Sequence, residues 1–197
     1  MNKLPQVLSP FRFGNLEVKN RIEIAPAIPC LASPDGFVTR ELIEYYKSLA
    51  RGGAAIVTIG DTPIDFEYAK DHEHTLNLGD DRVIAGLSTL VEAIQRFGAK
   101  ASIEINHGGR FAEPRTLNGR TPMAPSPIPS ETALMWARMH GTTLNYQITE
   151  MTQEHIDTVI SHYAEACHRC LLAGMEMVLL HGAHGHLLGQ FTSPYTN

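Results

Sequence analysis

Four short apolar runs, separated by stretches of helical periodicity, constrain the fold of this chain more than any other feature. They lie at 22–25, 54–59, 99–106 and 175–181. Runs of this length and composition are typical of parallel strands that are covered on both faces. Their alternation with helical segments predicts an α/β fold built on a parallel sheet.

Amphipathic helices are predicted between these runs, each opened by a residue whose side chain can cap the first turn. Apolar residues recur three and four positions apart in each, which gives every helix one face for the sheet. The predicted cap and end of the helices are Thr39 and Arg51, Asp80 or Asp81 and Gly98, and Thr152 and Gly174.

Two further segments stand apart from this alternation. The stretch 8–18 reads as a β-hairpin with its turn at Gly14-Asn15, placed before the first main strand. The proline-rich segment from His107 to Met151 reads as one long loop. Loops of that length inside compact domains usually carry function.

Composition narrows the classes of function. The net charge of −5 argues against a nucleic-acid surface, which needs a basic face. No signal peptide and no run of about 20 apolar residues is present, so we expect a cytoplasmic protein without a membrane partner. The cysteines Cys30, Cys167 and Cys170 do not suggest a disulfide framework; the last two fall inside a predicted helix and read as core residues.

Residues that can bind a ligand or take part in a reaction lie at or just after the end of each predicted strand. Because the carboxyl ends of parallel strands meet at one edge, these residues are expected to share a site, as they do at the C-terminal face of an α/β barrel. No G-x-G-x-x-G follows a strand, which argues against a dinucleotide-binding fold. The residues are Ala25-Pro26, Gly60-Asp61, Glu104 to Arg110, and the group His181, His184 and His186.

The segment 181–197, HGAHGHLLGQFTSPYTN, resembles a signature of the old yellow enzyme family. The segments 8–26 and 104–110 (EINHGGR) are similar to the family's opening hairpin and strand-three motif. The resemblance implies a TIM (β/α)8 barrel that holds FMN. Residues 1–197 would supply its N-terminal half, the first four β/α units preceded by the β-hairpin, and would form a fragment with two open sheet edges.

The resemblance also assigns site residues. Ala25, Pro26 and Ala27 match the loop that touches the flavin ring, and Gly60 matches a small residue whose enlargement would collide with the ring. Glu104 stands where the family has Gln, at the pyrimidine edge of the flavin.

The same resemblance assigns the histidines. His181 and His184 match the pair that binds the activating oxygen of the substrate, and His181 also borders the flavin. His186 stands where most ene-reductases of the family have the proton-donating Tyr, and an imidazolium can take that role.

We therefore expect an FMN-dependent oxidoreductase that reduces activated C=C bonds of a small unsaturated substrate with NADH or NADPH. The longer relatives imply a 4Fe-4S cluster and FAD in the part of the protein that follows. Residues 1–197 alone are expected to be inactive. A homo-oligomer is one of the states that the sequence leaves open.

Two alternatives remain at this stage. Glu104 occurs in amine-oxidising relatives, so a flavin-dependent amine dehydrogenase is the second hypothesis. The third is a metal-dependent barrel hydrolase or lyase with a site at His107, His181, His184 and His186, although the usual metal clusters of such barrels are missing from the sequence.

Overall fold

A computed structural model describes residues 5–197 of the chain. The first part contains β1 (Phe11–Phe13), β2 (Leu16–Val18), β3 (Glu23–Ile24), α1 (Arg40–Arg51), β4 (Ile56–Pro63), α2 (Val83–Gln95) and β5 (Lys100–Asn106). The second part contains a 3-10 turn (Gly109–Phe111), β6 (Met123–Ala124), α3 (Glu131–Met139), β7 (Thr149–Glu150), α4 (Gln153–Leu172), β8 (Met177–Leu180) and α5 (Leu187–Thr192).

The main sheet is parallel and has the strand order β3-β4-β5-β8. Each strand pairs with the next strand of the β/α alternation, with Ile59 opposite Ile103 and Ile103 opposite Val178. The four apolar runs therefore form the sheet as predicted. Their carboxyl ends lie at one edge, where the candidate site residues follow them.

The core lies between the sheet and the helices α1, α2 and α4. Residues 57, 59, 101, 103 and 105 of the central strands are less than 2% exposed, and they pack against Leu87, Leu90 and Ile94 of α2. Cys170 of α4 is fully buried in this core, as the sequence indicated, and Cys167 packs partly against it. This close packing fixes the orientation of the sheet whose carboxyl edge carries the candidate site residues.

The predicted caps hold for two helices, and the third starts slightly later than expected. The Thr39 side chain accepts from the backbone N–H of Leu42, and Thr152 forms a capping box with His155. For α2, the Asp80 carboxylate accepts from the backbone N–H of Arg82 just before the helix begins. The hairpin is also confirmed, because Phe13 pairs with Leu16 across the Gly14-Asn15 turn.

The segment from 107 to 151 is not the plain loop that we expected. It contains the short parallel pair β6-β7 and the nine-residue helix α3, capped by Ser130, whose side chain accepts from the backbone N–H of Ala133. Helix α3 carries Trp136 on an exposed face, 61% accessible. Prolines at 122, 125, 127 and 129 hid this helix in the sequence because they favour a loop interpretation up to its first turn.

Both outer strands of the four-stranded sheet lack a neighbour on one side among residues 5–197. The outer strand β8 exposes apolar side chains at Val178, Leu179 and Leu180, with Leu180 56% accessible. Within the described residues, none of the helices is long and apolar enough to cross a membrane.

Candidate active site

The candidate site lies at the carboxyl edge of the parallel sheet. Gly60 and Asp61 sit at an irregularity near the end of β4, where the pairing with β5 shifts between Ile59 and Thr62. The buried phenol of Tyr46 holds this irregularity, because its oxygen accepts from the Gly60 N–H at 3.2 Å and donates to the Gly60 carbonyl at 3.3 Å. Strand β4 thereby ends in a fixed geometry next to the strands that carry the other site residues.

A chain of polar contacts leads from the sheet toward the loop after β8. Nδ1 of His181 lies 2.7 Å from the Glu104 carboxylate, and both side chains are about nine-tenths buried. Nε2 of His181 lies 3.3 Å from Nδ1 of His184. Burial and the charge of neighbouring His186 lower the pKa of His181, although Glu104 opposes this shift. Both nitrogens of His181 are therefore engaged, whereas His184 keeps Nε2 for a ligand.

His186 takes part in a second buried pair. Its Nε2 lies 2.7 Å from Oδ2 of Asp71, and its ring stacks on Phe111 and meets His181 edge-on at a centroid distance of 4.3 Å. Burial disfavours the charge of His186, but the bond to Asp71 and the charges of Asp71 and Asp61 outweigh burial and raise its pKa. Nδ1 of His186 is buried without a partner in residues 5–197. Neither ring nitrogen is thus open to solvent.

Asp61, Asp71 and His72 form a cluster beside this pair, which we call the acid cluster. Nδ1 of His72 lies 3.2 Å from Oδ1 of Asp71 and 3.7 Å from Oδ2 of Asp61. Neither oxygen of Asp61 has a hydrogen-bond partner in the described part of the chain, although Asp61 is only 5% exposed. Burial and the nearby charge of Asp71 raise the pKa of Asp61 to about 7. The carboxylates are close enough to influence the charge of each histidine beside them.

A cavity of about 630 Å³ opens next to these groups, within the usual size range for small-molecule sites. Its wall combines aromatic, cationic and acidic side chains from the loops and from α3. The lining includes Asp71, His72, Phe111, Arg115, Trp136, His184 and His186. The arrangement can receive a small polar or anionic molecule, because imidazoles and an indole share the cavity wall.

The polar face of β5 fits the edge of a flavin. Ser102, Glu104 and Asn106 alternate along the strand and therefore point to one face. The Ser102 hydroxyl and both amide atoms of Asn106 are buried without partners in the described chain. A flavin pyrimidine edge offers both donors and acceptors, so it can satisfy such groups, which otherwise carry a cost.

The loop after β3 meets β4 closely. A Cβ added at Gly60 would lie 2.5 Å from Cβ of Pro26 and 3.0 Å from the backbone nitrogen of Ala27. Gly60 is thus required by its contact with this loop. Ala25 and Ala27 are exposed on either side of the half-buried Pro26. Their side chains are short, so a flat ring can lie close to the backbone of this loop.

The structure brings together Glu104, His181, His184 and His186 as predicted, but His107 stands apart. His107 is fully buried, accepts from the Gly109 N–H at 3.0 Å, and burial lowers its pKa to about 4. Among residues 5–197, the ligand atoms close enough to share a metal ion belong to Asp61, Asp71 and His72, a set that contains none of the four histidines considered in the sequence.

Sequence reasoning did not single out Asp71 or His72 as site residues. They lie in the connection between β4 and α2, and their only signal was a run of acidic residues and histidines, Asp71-His72-Glu73-His74, after the predicted strand. Such runs are common on solvated loops, so the sequence alone did not distinguish this one.

Comparison with known proteins gives a consistent match. Residues 6–197 match the model of the NADH:flavin oxidoreductase / NADH oxidase family. The chain is 37% identical to an NADH oxidase of Thermoanaerobacter brockii over its whole length, which is 29% of that protein. It is 36% identical to an NADH:fumarate oxidoreductase of Klebsiella pneumoniae (strain 342), again over its whole length and 20% of the relative.

A solved structure, an old yellow enzyme from Pichia sp. AKU4542, superposes with a TM-score of 0.86 at 26% identity. The match covers 98% of this chain and 50% of the Pichia protein. The four-stranded sheet and its helices therefore have the fold of part of an old yellow enzyme TIM barrel. The chain spans between one fifth and one half of the length of these relatives.

Proposed function

The chain belongs to the NADH:flavin oxidoreductase / NADH oxidase family, and from that premise we propose that the complete protein is an FMN-dependent reductase of activated carbon–carbon double bonds. NADH or NADPH is the reductant in this proposal. The observation that carries it is the chain of contacts from Glu104 through His181 to His184, which ends at the wall of the cavity. A donor at that wall can hold the oxygen of a conjugated carbonyl or carboxyl group.

The polar face of β5 supports the proposed flavin site, because the Ser102 hydroxyl and the Asn106 amide on it have no hydrogen-bond partner among residues 5–197. Glu104 and Asn106 would hold the pyrimidine edge of FMN, and the surface formed by Ala25, Pro26, Ala27 and Gly60 would lie along the ring. When bound, FMN supplies the hydride that the double bond accepts. The protein residues orient the two partners and exclude water from the space between them.

His184 is the proposed direct donor to the substrate oxygen. Nδ1 of His184 donates to Nε2 of His181, and Nδ1 of His181 donates to Glu104, so the tautomers and ring planes are fixed. Because Nδ1 of His184 already carries one proton, donation from Nε2 requires the imidazolium form of His184, which then stabilises negative charge on the oxygen as the double bond is reduced. His181 and Glu104 act through it by fixing the orientation of its ring.

The proposed substrates are small unsaturated carboxylic acids or their thioesters. The imidazoles of the cavity wall can bind an anionic group, and Trp136 offers an apolar face. Arg115 also lines the cavity, but its guanidinium is paired with Glu113 at 2.6 Å. The fumarate named for the Klebsiella relative is an unsaturated acid of this class.

The extent of the complete protein is part of the proposal. We infer that residues 1–197 are the N-terminal half of the FMN-binding barrel and that further chain closes it. This chain covers only 20–29% of the length of two relatives, which supports additional domains in the complete protein. A 4Fe-4S cluster and FAD are proposed for that part, by resemblance to the longer members of the family.

One observation favours a second candidate, a flavin-dependent amine dehydrogenase. Glu104 places a carboxylate where the reductases of the family have an amide, and a carboxylate can accept from the flavin N3–H but cannot donate. In the structure, this carboxylate is paired with His181, which reduces its influence on the flavin and favours the reductase.

Steady-state assays of the complete protein separate the candidates. The reductase predicts NADH or NADPH oxidation that depends on an α,β-unsaturated acid, thioester or enone, and no turnover of a secondary or tertiary amine. If the amine reduces the flavin and no alkene is turned over, the protein is the amine dehydrogenase instead.

A further inference from the structure

Reduction of a double bond needs a proton as well as a hydride, and His186 is poorly placed to supply it. Its Nε2 is held by Asp71 at 2.7 Å, and its Nδ1 is buried. His72 has the opposite environment. Its side chain is 47% exposed and lines the same cavity as His184.

We propose that His72 is the acid that protonates the substrate and that Asp71 is the positioning residue that orients it. The proposal rests on the proposed alkene reduction. Asp71 links the two imidazoles, because Oδ2 binds His186 while Oδ1 faces Nδ1 of His72. Nδ1 of His72 thus lies against the carboxyl groups of Asp71 and Asp61, which leaves Nε2 as the nitrogen that can reach a substrate.

The charges around His72 support an imidazolium. Contact with Asp71, and the charges of Asp71 and Asp61, raise the pKa of His72 against the opposing effects of burial and Arg115. The groups that face Asp71 and His72, directly or through Asp61, come from several elements: Asp61 at the end of β4, Arg115 after β5, His186 after β8, Glu104 on β5 and Tyr163 on α4. Asp61 is the second carboxyl group within 4 Å of His72 Nδ1, and it becomes a second anionic neighbour of the imidazolium only as it ionises near its raised pKa of about 7.

The proton balance closes without another reactant. The double bond takes up a hydride at one carbon, and the electron pair that remains on the neighbouring carbon forms a C–H bond with the proton from His72 Nε2. The N–H bond breaks and its electron pair stays on the imidazole, which becomes neutral. The exposed ring then regains a proton from solvent, while NADH or NADPH restores the reduced flavin.

The first test measures the two half-reactions of the complete FMN-loaded protein by anaerobic stopped-flow. In His72→Gln, we expect normal flavin reduction by NADH or NADPH, and re-oxidation by the unsaturated acid slowed by about 10²–10⁴, the usual contribution of a general acid. His168→Gln, on the exposed face of α4, is the matched control and should leave both rates unchanged.

His186→Phe distinguishes the two imidazoles of the cavity. If re-oxidation is lost in His186→Phe and normal in His72→Gln, the acid is His186 and the proposal is wrong. If the wild-type protein is not re-oxidised by any alkene, the alkene reduction itself fails. If the wild-type protein is active and the His72→Gln variant is unimpaired, only the assignment of His72 is wrong.

The second test does not depend on turnover. The imidazole of His72 is titrated by NMR in the complete protein and in Asp71→Asn. Removal of the negative charge should lower the pKa of His72, and the decline of the re-oxidation rate with rising pH should begin at a correspondingly lower pH. An unchanged His72 pKa would overturn the positioning role of Asp71. A stoichiometric divalent metal bound at His72 in the purified protein would overturn the acid role, because the ion would replace the Nδ1 proton.

Discussion

His184 adopts a backbone conformation that a residue with a side chain rarely uses. Its φ is +53°, in the left-handed region, which costs about 1–2 kcal/mol for a residue other than glycine. The conformation lets Nδ1 of His184 reach Nε2 of His181, whose own Nδ1 is held by Glu104. The local strain is offset by these contacts and sets the ring at the cavity wall, a pattern typical of functional sites.

Replacing both His181 and His184 with Ala tests their proposed role. We expect the rate of alkene reduction to fall by about 10²–10³ or more, the usual effect of losing an oxyanion donor. The flavin should remain largely bound, since β5 and the loop after β3 keep their contacts. Rapid-mixing kinetics and the bound flavin fraction measure both effects. Unchanged turnover in the double variant would contradict the assignment.

Asp61→Asn should stabilise the protein at alkaline pH. The folded-state pKa of Asp61 is raised from 3.8 to about 7, so its ionisation destabilises the fold progressively between these values and by a constant amount above them. The raised pKa means that the ionised carboxylate costs on the order of a few kcal/mol in the folded state. Urea unfolding should therefore show a gain of that order for the variant at pH 8 and little gain near pH 4.

Asp35→Asn, at an exposed position, provides the control for this measurement. It should shift the free energy of unfolding little at any pH. If the difference between wild type and Asp61→Asn does not grow with pH, Asp61 is already ionised at acidic pH and its burial does not control its charge.

The residues of the site were only partly predictable from the sequence. Glu104 lies near the end of β5, His181 and His184 follow β8, and these positions alone place them at one edge of the sheet. The contact of Asp71 with His186 joins residues 115 positions apart through the path of a loop. No periodicity encodes such a contact, so the acid cluster became visible only in three dimensions.

At the scale of elements, the regular parts of the fold were predictable and the irregular parts were not. Strands β4 and β5 are buried over almost their whole length, and the apolar run 54–59 and the alternating apolar residues 101, 103 and 105 give them a strong signal. Helix α3 has only nine residues and buries only Ala137, so its apolar periodicity is weak. The irregularity at the end of β4 depends on Tyr46, a residue of a different element.

Gly60→Ala tests the packing between β4 and the loop after β3. The added methyl would lie 2.5 Å from Pro26 Cβ, so the loop must move, and we expect a loss of about 1–3 kcal/mol in the free energy of unfolding. Gly182→Ala is the matched control, because a Cβ there has no neighbour within 4 Å. Equal stability of the two variants in urea unfolding would show that the close contact is not retained in solution.

For the whole molecule, the exposed strand edges are the dominant feature. Val178, Leu179 and Leu180 lie on an outer strand with 37–56% of their surface accessible, and such an edge favours pairing with another chain. We expect residues 1–197 alone to self-associate in size-exclusion chromatography with light scattering and to bind FMN weakly. Leu180→Lys should reduce the association, because a charge on an edge opposes pairing. A monomeric fragment with tightly bound FMN would contradict the half-barrel proposal.

The most direct measurement is the visible absorption spectrum of the complete protein, recorded without oxygen before and after addition of NADH or NADPH. The proposed function predicts flavin bands that bleach with the reductant and return when an unsaturated acid is added. A protein that stays colourless after incubation with FMN would contradict the flavin site at β4, β5 and β8, and with it the proposed reduction of double bonds.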